Sequence, residues 1–369
     1  MRYKLILINT ISFFLITDFI VSNLYENKNP SAIERNDAYE YGFISNLNIK
    51  DTYGNKKFTL CTDSNSFRVS CKNSKNSTIK ENNYDLIIMG DSFAEGIGID
   101  FKDTFVGKLQ IKYPNLKIGN AGVRGYSTKN YLEKVKYLID KNFKIKRLIV
   151  FIDISDLEDK KDSLQLKSNN KARQENLISK KQRNIKNNFF SKFKDIAKNN
   201  LKFTYLFYEY VKKIYEKKIS MKNQEFVENL KINIPAYNQN YKRSSWTYDT
   251  SNVLNSLDLK KKLTSDLNEL FLLCENNNIL CSIAVYPWPN QILYGTKNSI
   301  HAKLWNDFCI NRCEKFVNYF PVFFEEIENQ SPIEIISKYY IYKDVHFNKN
   351  GHAKLFDHLS YSFDYEFKN

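Results

Sequence analysis

Short apolar runs alternate with amphipathic stretches along the chain from residue 84 onwards. Three of the runs are short and mostly apolar, as buried strands are: YDLIIMG (84–90), LKIGNAGV (116–123) and IKRLIVFIDIS (145–155). Two stretches between them repeat apolar residues at helical spacing: FKDTFVGKLQIKY (101–113) and STKNYLEKVKYLIDKN (127–142). This alternation of strand and helix predicts an α/β fold in which helices cover both faces of a parallel sheet.

The alternation stops after the third strand and returns near residue 256. Residues 157–250 are rich in Lys and Asn, and we predict an inserted helical or irregular lobe there, within an α/β domain that spans residues 84–369. The chain after the insertion predicts a helix, a strand, a second helix and, beyond a polar loop, a terminal helix: SLDLKKKLTSDLNELFLLCENN (256–277), LCSIAVYPWP (280–289), HAKLWNDFCINRCEKFVNYF (301–320) and AKLFDHLSYSF (353–363).

The N-terminus carries an apolar stretch from Leu5 to Leu24, twenty residues long, which is the length of a membrane-spanning helix. Arg2 and Lys4 precede it, so we predict a signal anchor at residues 1–24 with the body on the extracytoplasmic side. An uncleaved anchor is favoured over a removed signal peptide because no small-residue cleavage site follows. A buried helix of a cytosolic protein is the alternative.

One carboxylate, Asp18, lies within this stretch, and at a bilayer centre it would cost about 2.5–3.5 kcal/mol. It lies towards the outer end, where the cost is smaller. Residues 25–83, which follow the anchor, are polar and rich in turn residues, and they predict an extracytoplasmic lead-in segment with one hairpin.

Six cysteines are compatible with an exported protein. Cys61 and Cys71 flank a predicted strand, turn and strand, which makes a cross-strand disulfide credible. The spacings do not resemble a zinc ribbon or finger, so we expect no metal site and no cofactor. The pairing of the other four cysteines stays open: Cys274, Cys281, Cys309 and Cys313.

The net charge of +15 does not predict a nucleic-acid partner. The lysine-rich stretches are also rich in Asn, Ile, Tyr and Phe over the whole chain, which is a general compositional bias. No helix-turn-helix signature, zinc-finger spacing or aromatic RNA-binding strand accompanies the charge. An anionic membrane surface or an acidic glycan is the partner that the charge favours.

Polar residues follow the predicted strands at the edge where parallel sheets bind ligands. Ser92 comes after the first strand, and a serine in such a turn is usually a helix cap. As a nucleophile it would need a base, an orienting carboxylate and donors for an oxyanion. Asp344 and His346, two residues apart in the last loop, could supply the carboxylate and the base.

Four segments resemble, in chain order, the sequence blocks of the SGNH (GDSL) hydrolase superfamily. The resemblance implies ester chemistry on a flavodoxin-like three-layer α/β/α sandwich with a parallel sheet. By position, it implies that Ser92 is the nucleophile and also an oxyanion donor through its N–H, that Gly125 is a second donor, and that Asp344 orients the base His346. The segments are GDSFAEGIG (90–98), GNAGVRGYS (119–127), DISD (153–156) and DVHFNKNGH (344–352).

The chain departs from the family pattern at two places. Ser155 stands where the family has an asparagine that donates to the oxyanion, and its shorter hydroxyl could reach only through a water. The final block has one residue between Asp344 and His346 instead of two. That spacing resembles the branch with membrane-tethered alginate O-acetyltransferases.

Further residues have two interpretations each. Asp91, Asp156 and Trp288 are candidates for substrate contacts, although Asp156 could cap the next segment and Trp288 could be a packing residue instead of a platform for a sugar ring. His352 begins a helix, and we interpret it as structural.

We therefore expect an extracytoplasmic serine esterase or O-acyltransferase that acts on acyl, mainly acetyl, esters of carbohydrate. One alternative is a catalytically degenerate glycan-binding or assembly protein on the same fold. A lipase or thioesterase is a second.

Overall fold

The computed structural model describes residues 32–54, 56–74, 82–156, 264–342 and 344–368, with scattered helical residues before residue 21 and between residues 203 and 261. The chain divides into two compact units. The predicted insertion, residues 157–250, lies outside the described residues except for a few helical positions. One unit consists of Ser31–Ser163 and Pro235–Asn369, and the other of Met1–Pro30 and Leu164–Ile234.

No helix among the described residues is both long and apolar enough to cross a membrane. The predicted anchor lies largely outside those residues, although residues 12–18 are helical. Asp18 is only 2% exposed, and its carboxylate accepts hydrogen bonds from the backbone N–H of Thr204 at 2.9 Å and from its hydroxyl at 2.5 Å. The one carboxylate of the apolar stretch is therefore hydrogen-bonded within its own unit.

Ten strands are described in the larger unit. Eight of them form one sheet, and the first two form a separate antiparallel ribbon. They are β1 (Ile33–Asn36), β2 (Glu40–Phe43), β3 (Asn48–Tyr53), β4 (Lys56–Thr62), β5 (Arg68–Val69), β6 (Asn83–Met89), β7 (Ile118–Asn120), β8 (Lys144–Ile152), β9 (Leu280–Val285) and β10 (Phe316–Asn318).

The strand order in the large sheet is β10-β9-β8-β6-β7-β5-β4-β3. The five strands from β10 to β7 are parallel, which confirms the parallel-rich α/β fold. The lead-in segment changes the expected picture, because β5, β4 and β3 extend the same sheet in antiparallel fashion. The sheet is thus mixed. The predicted hairpin corresponds to β4 and β5, which pair in antiparallel fashion, whereas β3, with alternating exposed and partly buried positions, was not predicted.

Helices cover both faces of the sheet, since β6 and β8 are buried at consecutive positions. The helices described in this unit are α1 (Cys71–Ser74), α2 (Ser92–Glu95), α3 (Phe105–Lys112), α4 (Thr128–Asp140), α5 (Ser265–Asn276), α6 (Pro289–Tyr294), α7 (Ile300–Cys309), α8 (Phe320–Phe324), α9 (Pro332–Tyr339), α10 (Lys349–Ser362) and α11 (Asp364–Lys368), with short 3₁₀ turns at Phe101–Asp103 and Glu325–Glu328. Helix α4 packs against α5, and α10 packs against α3.

The helix predicted over residues 301–320 is wrong in its second half. α7 ends at Cys309, Asn311 adopts a left-handed conformation with φ of 59°, and the chain then forms the edge strand β10. A disulfide between Cys309 and Cys313 closes this turn. The predicted disulfide between Cys61 and Cys71 is confirmed, although it joins β4 to the start of α1 and does not link two strands. A third disulfide joins Cys274 and Cys281.

Arg68 connects the lead-in strands to the loop that follows α2. Its side chain is fully buried, and its guanidinium donates to the carbonyls of Glu95 at 2.5 Å, Gly96 at 2.7 Å and Ile99. The ring of Phe58 lies 5.4 Å from the guanidinium carbon. Burial lowers the pKa of Arg68 to about 10, so the group stays charged at neutral pH. Arg68 thereby fixes the backbone immediately after Ser92.

We expect Arg68→Met to lower the free energy of unfolding by about 3 kcal/mol or more, because three buried carbonyls each lose a hydrogen bond from a charged donor. Denaturant unfolding followed by circular dichroism measures the change. Arg312→Met is the control, since Arg312 lies on the surface, and it should change stability by about 0.5 kcal/mol or less. Equal effects of the two substitutions would contradict this stabilising role of the Arg68 guanidinium.

Candidate active site

Ser92 is the first residue of α2, directly after the carboxyl end of β6. The helix cap is its neighbour Asp91, whose carboxylate accepts the N–H of Phe93 at 2.9 Å. Gly90 permits the sharp turn, because a β-carbon there would come within 2.7 Å of the Ala94 side chain. The cap position therefore belongs to Asp91, and the Ser92 hydroxyl is left for another partner.

That partner is His346. The Ser92 Oγ lies 2.8 Å from Nε2 of His346 across a sequence separation of 254 residues. On the other side of the ring, Nδ1 lies 2.5 Å from Oδ1 of Asp344. The structure thus brings together the three side chains that the sequence singled out as nucleophile, base and orienting carboxylate.

The contacts define which nitrogen of the neutral imidazole carries the proton. A base for Ser92 must accept at Nε2, so the proton belongs on Nδ1, where it is donated to Asp344. Burial would raise the pKa of the Asp344 carboxyl, but the hydrogen bond and charge of His346 hold it below its usual value. Asp344 is therefore a carboxylate at neutral pH, as the arrangement requires.

The loop that carries the pair is held by its own hydrogen bonds. The N–H of Ile341 donates to the carbonyl of His346 at 2.8 Å, and the N–H of His346 donates to Oδ1 of Asp344 at 2.9 Å. Asn348 caps α10 by accepting from the N–H of Gly351 at 3.1 Å, while its amide donates to the carbonyl of Tyr340 at 2.9 Å. The loop thereby keeps a fixed position between α9 and α10.

Two aromatic rings flank the imidazole of His346. Phe93, the residue after Ser92, has its ring centroid 4.6 Å away. Tyr53, the last residue of β3, approaches edge-on with its centroid at 5.1 Å and its hydroxyl 3.0 Å from Nδ1. Sequence reasoning missed Tyr53, because it ends a polar alternating segment far from the four blocks and carries no motif.

The turn after β7 packs against α2, the helix that begins at Ser92. The N–H of Val123 donates to the carbonyl of Gly90 at 3.1 Å, and a β-carbon on Gly122 would come within 2.5 Å of the Glu95 nitrogen. Gly125 follows, exposed and with φ of 82°, a left-handed conformation that favours glycine. Its role as an oxyanion donor stays a prediction.

Ser155 has a different partner from the one its position suggests. Its hydroxyl donates to Oδ1 of Asp153 at 2.6 Å, and its N–H donates to the same oxygen at 2.7 Å. Trp288 Nε1 donates to the second oxygen of Asp153 at 2.8 Å. The hydroxyl proton of Ser155 is thus directed to Asp153.

The three residues that the sequence offers as possible substrate contacts are all buried. Asp91 is 6% exposed, Asp156 2% and Trp288 4%. Asp156 accepts the N–H of Asp153 and the hydroxyl of Tyr131, both at 3.2 Å. Asp91 follows β6, Asp156 follows β8 and Trp288 follows β9. All three side chains are covered by the packing at the strand ends, where they support the loops.

Burial, followed by the charge of Asp153, raises the pKa of Asp91 and of Asp156 well above the usual value for a carboxyl. Two other buried groups, His301 and His352, have their pKa lowered to about 3, above all by burial. These imidazoles are neutral at physiological pH. Among the residues that the structure describes, no three His, Cys, Asp or Glu side chains are arranged to hold a metal ion.

The raised pKa of Asp156 predicts a pH-dependent cost to stability. The folded state holds the proton more tightly than the unfolded state, so stability falls as pH rises from the unfolded pKa near 4 towards the folded pKa. The Asp156→Asn variant has no carboxyl to titrate at this position. The free energy of unfolding of the variant, relative to that of wild type, should therefore rise with pH above about 4. Denaturant unfolding at several pH values measures the difference, with exposed Asp357→Asn as control. A difference that does not vary with pH would refute the prediction.

No family model matches this chain, and no curated protein does. Solved structures with some similarity include TesA, at 10% identity over 75% of this chain and 97% of that one, with a TM-score of 0.39. The psychrotrophic esterase EstA from Pseudoalteromonas sp. has 13% identity over 78% and 100%, with a TM-score of 0.39. Axe2, an acetylxylan esterase from Geobacillus stearothermophilus, has 12% identity over 77% and 94%, with a TM-score of 0.38. These likenesses are too remote to assign an activity, which has to come from the side chains themselves.

Proposed function

We propose that this chain is a serine esterase or O-acyltransferase of the SGNH type that acts on acyl esters. One observation carries the proposal: Ser92 Oγ lies 2.8 Å from Nε2 of His346, while Nδ1 of the same ring lies 2.5 Å from Asp344. Such a relay makes a hydroxyl nucleophilic and then returns its proton to a leaving group. A structural role for Ser92 does not account for it, because Asp91 already caps the helix.

In the first half-reaction, Ser92 Oγ attacks the ester carbonyl and its proton passes to Nε2 of His346. The negative charge on the carbonyl oxygen is met by the N–H groups of Ser92 and Gly125. The intermediate then collapses, the bond to the alcohol oxygen breaks, and the alcohol leaves with the proton from His346. The products of this step are a free alcohol and an acyl group on Ser92.

In the second half-reaction, water or a sugar hydroxyl attacks the acyl-enzyme and gives its proton to His346. Collapse releases the carboxylic acid or the new ester and returns the proton to Ser92. The same three side chains serve both outcomes, so hydrolysis and transfer differ only in the acceptor that reaches the acyl group.

The proposed substrate is an acyl, mainly acetyl, ester of an envelope or extracellular carbohydrate. Two features of the sequence support this choice: the short Asp-x-His block, and the N-terminal apolar stretch that would anchor the protein with its body outside the cytoplasm. The hydrogen bonds that Thr204 donates to Asp18 support the anchor, because they satisfy the carboxylate that a bilayer would otherwise disfavour. The glycan-binding protein with a degenerate site is the competing function, and the side chain of Ser155 is the observation that favours it.

A fluorophosphonate probe, which reacts with activated serines, should label Ser92 in the wild-type protein and fail to label Ser92→Ala. His346→Ala should lose labelling as well, because the hydroxyl loses its base. His358→Ala, on α10, is the control and should be labelled like wild type. Release of acetate from p-nitrophenyl acetate and acetylated xylan should follow the labelling. Equal acetate release by wild type and Ser92→Ala would end the enzyme proposal and leave the binding protein.

The orientation of Ser155 predicts a small effect of Ser155→Ala on catalysis. Loss of an oxyanion donor typically reduces kcat about 10²–10³-fold, whereas we expect a reduction of less than about tenfold here, because the hydroxyl donates to Asp153. Steady-state kinetics on p-nitrophenyl acetate measures kcat. A reduction of a hundredfold or more, with unchanged thermal stability, would show that Ser155 turns towards the oxyanion during the reaction.

A further inference from the structure

Tyr53 reaches the catalytic pair from the edge of the sheet. It ends β3, the outermost strand that the lead-in segment adds. Its hydroxyl nevertheless lies 3.0 Å from Nδ1 of His346, and its ring stands at 85° to the imidazole. The loop after α2 passes so close that a β-carbon on Gly98 would meet the Tyr53 ring at 3.5 Å. Tyr53 therefore contacts two separate parts of the proposed site.

The direction of its hydroxyl proton follows from the tautomer of His346. Nδ1 has one proton, and that proton is donated to Asp344 over the shorter contact of 2.5 Å. Nδ1 then has no lone pair to accept from Tyr53. The Asp344 carboxylate lies 2.5 Å from the same nitrogen and interacts electrostatically with Tyr53, so it is the acceptor towards which the hydroxyl proton can turn.

The charges around Tyr53 keep it a neutral donor. Burial and then the negative charge of Asp344 raise the pKa of the Tyr53 hydroxyl well above its usual value. Arg124 lowers it and Glu95 raises it, and these two are themselves paired, with Arg124 also bonded to Asp51. Tyr53 in turn helps to hold the pKa of Asp344 below its usual value. At neutral pH the Tyr53 hydroxyl therefore keeps its proton, and Asp344 is ionised.

We propose that Tyr53 is a positioning residue of the active site, which fixes the Asp344 carboxylate and moderates its charge towards His346. This inference rests on the proposed function for its catalytic consequence, but its electrostatic consequence does not need turnover. It also makes the lead-in strand β3 part of the site.

The substitution Tyr53→Phe keeps the ring and removes the hydroxyl. Asp344 then has one hydrogen bond fewer, so its negative charge stabilises the imidazolium form of His346 more strongly. The acid limb of the pH profile of kcat/KM should move up by about half a pH unit. We also expect kcat to fall about 3–30-fold with little change in KM, because the base is less well oriented and substrate is not contacted.

Tyr113→Phe is the matched control. Tyr113 also donates its hydroxyl to a carboxylate, that of Asp364 at 3.2 Å, but on the C-terminal helix α11. Tyr113→Phe should leave kcat and the acid limb of the pH profile of kcat/KM at their wild-type values. The same profile for Tyr53→Phe and Tyr113→Phe would overturn the proposal.

A second readout separates this inference from the proposed function. The chain has four histidines, so the ring signals of His346 can be assigned in NMR spectra by comparison with His346→Gln. The pH midpoint of the His346 ring titration should be higher in Tyr53→Phe than in wild type, whether or not esters are hydrolysed. An unchanged midpoint overturns the role of Tyr53. A raised midpoint in a protein that does not react with the fluorophosphonate supports the contact and rejects the enzyme.

Discussion

The site depends on where one proton of the His346 ring lies. Only with that proton on Nδ1 can Nε2 accept from Ser92, and Asp344, at 2.5 Å, is a closer acceptor for it than the Tyr53 hydroxyl at 3.0 Å. The hydrogen bonds within the loop from Tyr340 to Asn348 support the contact between Asp344 and Nδ1 of His346. If the carboxylate turned away, the imidazole could adopt the other tautomer.

The lead-in strands support the same contact from the other side. They are fixed in the sheet through β5, whose residue Arg68 pairs with Asn120 of β7 and whose guanidinium holds the backbone after α2. β3 then brings Tyr53 to His346. A segment that the sequence predicts as a polar connection before the α/β domain thus supports both the turn that carries Ser92 and the surroundings of His346. The disulfide between Cys61 and Cys71 closes the hairpin that contains Arg68.

The sequence predicts the parts of the fold that local patterns encode. The apolar runs at β6 and β8 and the periodic helix α4 fall where the pattern places them. Ser92 and His346 could be paired because their blocks occur in a known order. Tyr53 and Arg68 could not be found in this way, because their importance comes from pairing between strands distant in sequence. The residue type of Trp288 suits both a sugar platform and a packing role, and its 4% exposure agrees with packing.

Ser155 lies beside a group of buried carboxyls. Asp91, Asp153 and Asp156 lie near one another, and negative charge there would oppose an oxyanion forming beside Ser92. Burial and the charge of Asp153 raise the pKa of Asp91 and of Asp156 well above the usual value, which favours the neutral form of both.

Asp153 accepts hydrogen bonds from the N–H and the hydroxyl of Ser155 and from Nε1 of Trp288. An asparagine side chain directed at the oxyanion could not supply the hydroxyl bond to Asp153. Residue 155 therefore holds the Asp153 side chain in this chain, and the proposed oxyanion donors are the backbone N–H groups of Ser92 and Gly125.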